Sequence, residues 1–189
     1  MAMTHAVPLH SQDIRLSARL TASASTQVQK QVDSARAEGL PTEPLIQKAL
    51  EGQAKGAPDD RIVIAVMTLR KDLRVVRTAL GPEAPESDLV PGVASLRAGA
   101  SRDNLVELRN LRRGAGIAVP LGVLADLVAN GMGYAEAWNS VRELATKGGS
   151  DGQFSALRDR AIGAPDPAAL PPAPSRPRGQ PGTPSPSLP

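Results

Sequence analysis

Six glycines punctuate the middle of this chain and decide most of what it can become. Gly39, Gly56, Gly99, Gly116, Gly131 and Gly148 follow one another at intervals of 17, 43, 17, 15 and 17 residues. After five of the six, the sixth residue on is apolar: Leu45, Ile62, Leu105, Ala137 and Phe154. A glycine just past a helix takes the left-handed conformation that closes the last turn without steric cost. Two or three residues further on stand helix starters, Thr42, Asp59, Ser101 and Ser150, whose side-chain oxygens accept from otherwise unpaired amides. Ser150 and Gln153 have the spacing of a capping box. Pro44, Pro91 and Pro120 fit near helix starts, where a missing amide does no harm. Each unit is a short helix followed by a tight corner.

Read this way, the chain is all-α, with about eight short-to-medium helices joined by glycine-capped tight turns. They are expected near 26–38, 42–54, 59–80, 90–98, 102–112, 119–130, 134–146 and 151–162. The third is the most regular: Ile62, Val66, Leu69, Leu73, Val76 and Leu80 step by three and four along one face. The period of one helix pair approaches that of helical solenoids. The 43-residue gap breaks the array, so the expectation is an irregular helical repeat or an orthogonal bundle. Residues 26–163 form the helical domain, with possible sub-units 26–80 and 90–163 around the acidic, helix-breaking loop 81–89.

Both ends read differently. Ten of the eighteen prolines lie in residues 164–189. Proline lacks an amide donor and restricts the residue before it, so this stretch is expected to be a disordered proline-rich tail. Residues 1–25 are expected to be a weakly ordered arm. Ile14, Leu16, Ala18 and Leu20 alternate with polar residues as a strand would, but a lone strand has no partner in this chain, so a frayed helix or extended segment is preferred.

Composition removes most chemistry. There is no cysteine, hence no disulfide, thiolate metal site or cysteine nucleophile. The only histidines, His5 and His10, stand outside the helical domain. Three aromatic residues, Tyr134, Trp138 and Phe154, are too few for a base-stacking platform, and in a chain with one tryptophan the core is its expected place. The acidic residues fall as helix starters (Asp59, Asp60), in a loop (Glu83, Glu86), or singly on polar faces. Gly114-Ala115-Gly116 lacks the lysine and hydroxyl residue that complete a phosphate loop. Neither a catalytic site nor a cofactor or metal site is expected.

The charge balance is nearly even, at +3. Arginines nevertheless cluster: Arg70, Arg74 and Arg77 on the third helix, Arg109, Arg112 and Arg113 at the end of the fifth, with Arg97 and Arg102 near. These are the candidate contacts for a partner or an anion, against the plainer reading that cations at helix C-termini complement the helix dipole. Three corners also carry a helix-turn-helix-like pattern of small residue, glycine and apolar anchor: Ala35/Gly39/Leu45, Gly52/Gly56/Ile62 and Ser95/Gly99/Leu105. Recurrence at three corners describes how the fold turns rather than a dedicated DNA reader.

The expected function is a non-catalytic helical protein-interaction or scaffold module with a protein partner. The alternatives are a nucleic-acid-associated protein using the basic helix ends, and a small exported helical protein. No apolar run reaches the ~20 residues of a membrane helix and no signal peptide is visible, so the cytoplasm is the default compartment, with a mature exported form as the alternative.

Overall fold

A computed structural model of the chain describes residues 13–163. Nine helices run through them: α1 (Ile14–Ser17), α2 (Ala22–Ala37), α3 (Glu43–Ala54), α4 (Asp59–Leu80), α5 (Glu86–Arg97), α6 (Arg102–Leu111), α7 (Ala118–Ala129), α8 (Tyr134–Thr146) and α9 (Asp151–Ala161). There is no strand among the described residues. The proline-rich tail from 164 onward and the first twelve residues lie outside them.

Five of the six marked glycines close helices as expected. At Gly39, with φ 65°, the amide of Leu40 bonds the Ala35 carbonyl at 2.9 Å and that of Gly39 the Arg36 carbonyl at 3.1 Å. This is a Schellman motif, which only a residue tolerating positive φ completes without strain. The same pair of bonds follows Gly56, Gly99, Gly131 and Gly148. The apolar residues six positions on (Leu45, Ile62, Leu105, Ala137, Phe154) are all buried. The small residue before the turn has a reason as well. A Cβ on Gly52 would meet Ile62 Cγ1 at 2.9 Å, so the corner is tight because both residues occupy its inside.

Gly116 is a correction. The left-handed residue after α6 is Gly114, with φ 85°, and Gly116 lies two residues later with no helix to close. The helix starts also differ in part. Ser101 and Ser150 form capping boxes with Asn104 and Gln153. Thr42 makes no side-chain cap bond. Asp59 is the first residue of α4, after Pro58 at the cap, and its carboxylate accepts instead from the Thr21 hydroxyl.

Of two further segments, the first, expected as a frayed helix or extended arm, takes the helical alternative, and the second is a correction. The alternation at Ile14–Leu20 resolves as the one-turn helix α1 and the turn after it: Leu16 and Leu20, four apart, are buried while Ile14 is 79% exposed. Thr21 caps α2 by accepting from the Ala24 amide, so α2 begins four residues before the expected start. Arg15 then ties α1 to α3 through Glu43 at 2.8 Å, a pairing that holds the Glu43 carboxyl at about 2. The second segment is 81–89. Helix α5 begins at Glu86, not at residue 90, and Pro91 lies inside it. The donor that Pro91 lacks leaves only the carbonyl of exposed Ser87 unserved, which water can satisfy.

Helix α4, about 33 Å long at 1.5 Å per residue, is the central beam, with α2, α3, α5 and α6 packed around it. Helix α2 runs parallel to it. Thr21 bonds Asp59 at one end and Glu38 accepts from Arg74 at the other. The C-terminal helices build on α7, which packs against α5, α8 and α9. One continuous apolar cluster runs from Leu16 to Phe154 through all nine helices.

Candidate functional site

The arginine clusters are spent largely on the fold. Arg70 and Arg74 both approach Glu38 at the end of α2, at 3.7 and 2.8 Å. Arg77 donates to the carbonyls of Pro82, Ala84 and Gly39, pinning the α2–α3 corner and the α4–α5 turn to one guanidinium. Arg97 pairs with Asp72 at 2.9 Å, joining α5 to α4. Arg112 is only 8% exposed. Its Nε donates to the Gly116 carbonyl at 3.1 Å, one Nη to the Gly149 carbonyl, and the other to Asp151 at 2.7 Å. It also lies 4.9 Å from the centre of the Phe154 ring, within cation–π range.

Arg102, Arg109 and Arg113 have no ion-pair partner among the described residues. Arg109 reaches towards Gly81, so the α4 and α6 clusters meet at the same turn from two sides. The three aromatic residues pack inward: Trp138 and Phe154 are buried, and the hydroxyl of half-buried Tyr134 donates to Asn104 Oδ1 at 2.6 Å. That oxygen also accepts from the Ser101 amide, so the Arg102-Asp103-Asn104 helix start has its asparagine occupied in capping.

Arg109 and Arg113 border a cleft of about 550 Å³ with Glu83, Asp88 and the loop 114–117. Asp88, 5% exposed, sits in the first turn of α5 and faces the first amides of α7. Burial pushes its carboxyl pKa up, against the lowering pull of the Ile117 and Ala118 amides. Its Oδ1 has no hydrogen-bond partner. The N-terminus of α7 beside it offers the ionised form only partial compensation for burial. A group whose folded pKa is raised favours the native state when protonated and loses that advantage as pH rises past the ordinary aspartate value. Asp88→Asn is therefore expected to raise the urea midpoint at pH 7 and leave it unchanged at pH 3. An equal shift at both values would show that the charge is not the cause.

A larger concavity lies elsewhere. A groove of about 810 Å³ runs between α3, α5 and α7. Leu69 and the α5 and α7 sides are mainly apolar, with Val90, Val93, Ala94, Val128 and Ala129 lining them, whereas α3 contributes Pro44 with the polar Gln47, Lys48 and Glu51. Val90 is 44% exposed. The charged residues of the lining carry both signs: Lys48, Glu51, Arg97 and Asp126. Sequence reasoning missed this feature because its three walls are separated by tens of residues. The one local signal is the spacing of Val90, Ala94 and Ala98 on the outer face of α5.

Among the described residues no group of three acidic or histidine side chains gathers to hold a metal ion, and no helix is long and apolar enough to cross a membrane. Compared with protein-family models, with curated proteins and with solved structures, the chain finds no match in any of the three.

Proposed function

We propose that this chain is a non-catalytic docking module whose groove between α3, α5 and α7 receives an amphipathic helix of a partner protein. The observation that carries the reading is the groove itself, bordered by three helices, with a mainly apolar lining from α5 and α7 and charges of both signs beside it. An amphipathic helix buries an apolar stripe at i, i+3, i+4 and i+7 in such a surface and leaves its polar face in water. The mixed charge of the lining, Lys48 and Arg97 with Glu51 and Asp126, suits a partner helix with both signs of charge on its flanks, and disfavours a polyanion. The engagement of Arg70, Arg74, Arg77, Arg97 and Arg112 in fold contacts supports the same preference. The lack of cysteine, and of histidine within residues 26–163, supports the non-catalytic part.

The test is a capture from host extract with the parent chain and with Val90→Glu/Ala94→Glu, each split into nuclease-treated and high-salt arms. Both positions are exposed, so the variant keeps its fold while placing charge in the groove. One protein retained by the parent through both arms, and lost from the variant, is the expected result. Retention by both chains overturns the groove. Nucleic acid recovered by both and lost above roughly 200 mM salt transfers the function to Arg102, Arg109 and Arg113.

A further inference from the structure

On the opposite side of α4 from the core, two large apolar side chains are uncovered: Ile64 at 59% and Met67 at 48%. They do not stand alone. Asp60, Ile64, Met67 and Lys71 step by four, three and four, so they share one stripe along the outer face of α4. Asp60 and Lys71 are exposed and have no ion-pair partner among the described residues. The order along the helix is acid, apolar, apolar, base.

That order is its own complement. We infer that a second copy of this chain docks on the first through α4, antiparallel, about a two-fold axis passing between positions 65 and 66. Ile64 and Met67 stand equally far from that midpoint, and so do Asp60 and Lys71. Rotation therefore brings Ile64 of each copy against Met67 of the other, and each Asp60 against a Lys71. A two-fold interface needs a patch that matches itself on rotation, and here both the apolar and the charged positions do so in one register. In the parallel arrangement Asp60 meets Asp60 and Lys71 meets Lys71, which like-charge repulsion disfavours.

A third observation falls on the same surface. Gln31 of α2 borders Ile64 and Met67, and its Oε1 is buried without a hydrogen-bond partner. Helix α2 runs parallel to α4 with an offset of 36 to 38 residues, set by the Glu38–Arg74 and Thr21–Asp59 bonds. An offset within that range sets the same axis at Gln29 of α2 and brings Gln27 of the second copy opposite Gln31. The Gln27 side-chain amide is a donor held in its own helix only by a 3.4 Å contact with Ser23. The surface is small, so the dimer belongs to the weak, exchanging class of association. The inference is independent of the α3/α5/α7 groove, which faces another side of α4.

Sedimentation equilibrium of the full chain between about 10 µM and 1 mM tests it. The expected result is monomer–dimer exchange within that range. Ile64→Asp weakens it by at least about tenfold. Asp60→Lys and Lys71→Glu each weaken it by about three- to tenfold, and the two together restore it to within about threefold. Matching helical circular dichroism across the set separates lost association from lost fold. A parent that stays monomeric to ~1 mM, a dimer indifferent to Ile64→Asp, or a charge-reversed pair that fails to recover, each overturns the inference.

Discussion

Arg112→Ala is expected to lower the free energy of unfolding by about 3 kcal/mol, the largest loss from any single polar side chain among those described. The reasoning rests on what stays behind. The Gly149 carbonyl is buried and takes its bond from Arg112. Without the guanidinium that acceptor goes unmet, at a cost of about 1–3 kcal/mol. The space over the Phe154 ring, where the guanidinium lies at 4.9 Å, also empties, and cavity formation adds to the loss. The ion pair itself matters least, because Asp151 is 56% exposed. Asp151→Asn should therefore cost under about 1 kcal/mol. Arg112→Lys should recover little, since one ammonium cannot reach three acceptors that the planar fork spans. Urea denaturation of the four chains at pH 7 checks the ranking. A loss for Arg112→Ala no larger than that for Asp151→Asn would reduce Arg112 to a surface cation.

The second large effect reverses a usual sign. In a helix interior, glycine to alanine ordinarily gains about 1 kcal/mol. Gly92→Ala in α5 is expected to lose about 1–3 kcal/mol instead. A Cβ there would stand 2.5 Å from Val76 Cγ1 and 3.3 Å from Cγ2. Val76 is fully buried, and a β-branched side chain in a helix has essentially one rotamer, so it cannot turn aside. The two helices must part, and with them the core between α4 and α5. Val76→Ala alone leaves a cavity and also destabilises. Combined, the two substitutions should cost less than their sum by about 1–2 kcal/mol, because the new methyl occupies part of the space the valine leaves. Additivity in this double-mutant cycle would mean that the two positions do not meet.

The helical class and most helix ends were legible because they rest on local chemistry. A Schellman turn needs one residue of positive φ, and Gly39, Gly56, Gly99, Gly131 and Gly148 announce it at fixed offsets from the buried residue that follows. The apolar stripe of α4 was readable for a related reason: residues three and four apart share a face whatever lies beyond it. Errors came where two local signals conflicted. Gly114 and Gly116 stand two apart, and spacing alone favoured the wrong one. Pro91 looked like a helix start because its position relative to Glu86 depends on whether the Ser87 carbonyl can face water, which is a tertiary matter. Leu16 and Leu20 fit both a two-residue and a four-residue period, and only the surface they bury against separates the two.

For the candidate sites the division is sharper. From sequence, Arg77, Arg97, Arg109 and Arg112 are alike, cations near helix ends. In the fold Arg77 serves three carbonyls, Arg97 an aspartate of another helix and Arg112 a buried corner, while Arg109 keeps no ion pair among the described residues. The partner of Arg97 and two of the three partners of Arg112 lie 25 to 39 positions away, beyond the reach of any local pattern. The sequence alone therefore determined that this chain is helical, where most of its helices stop, and which residue enters the core after each turn, since backbone stereochemistry and periodicity act within a few residues. Only the tertiary structure decided which arginines are structural, that Asp88 is buried against α7, and that α3, α5 and α7 leave a mainly apolar groove open. Those properties belong to surfaces brought together by packing, and no single segment of the chain contains them.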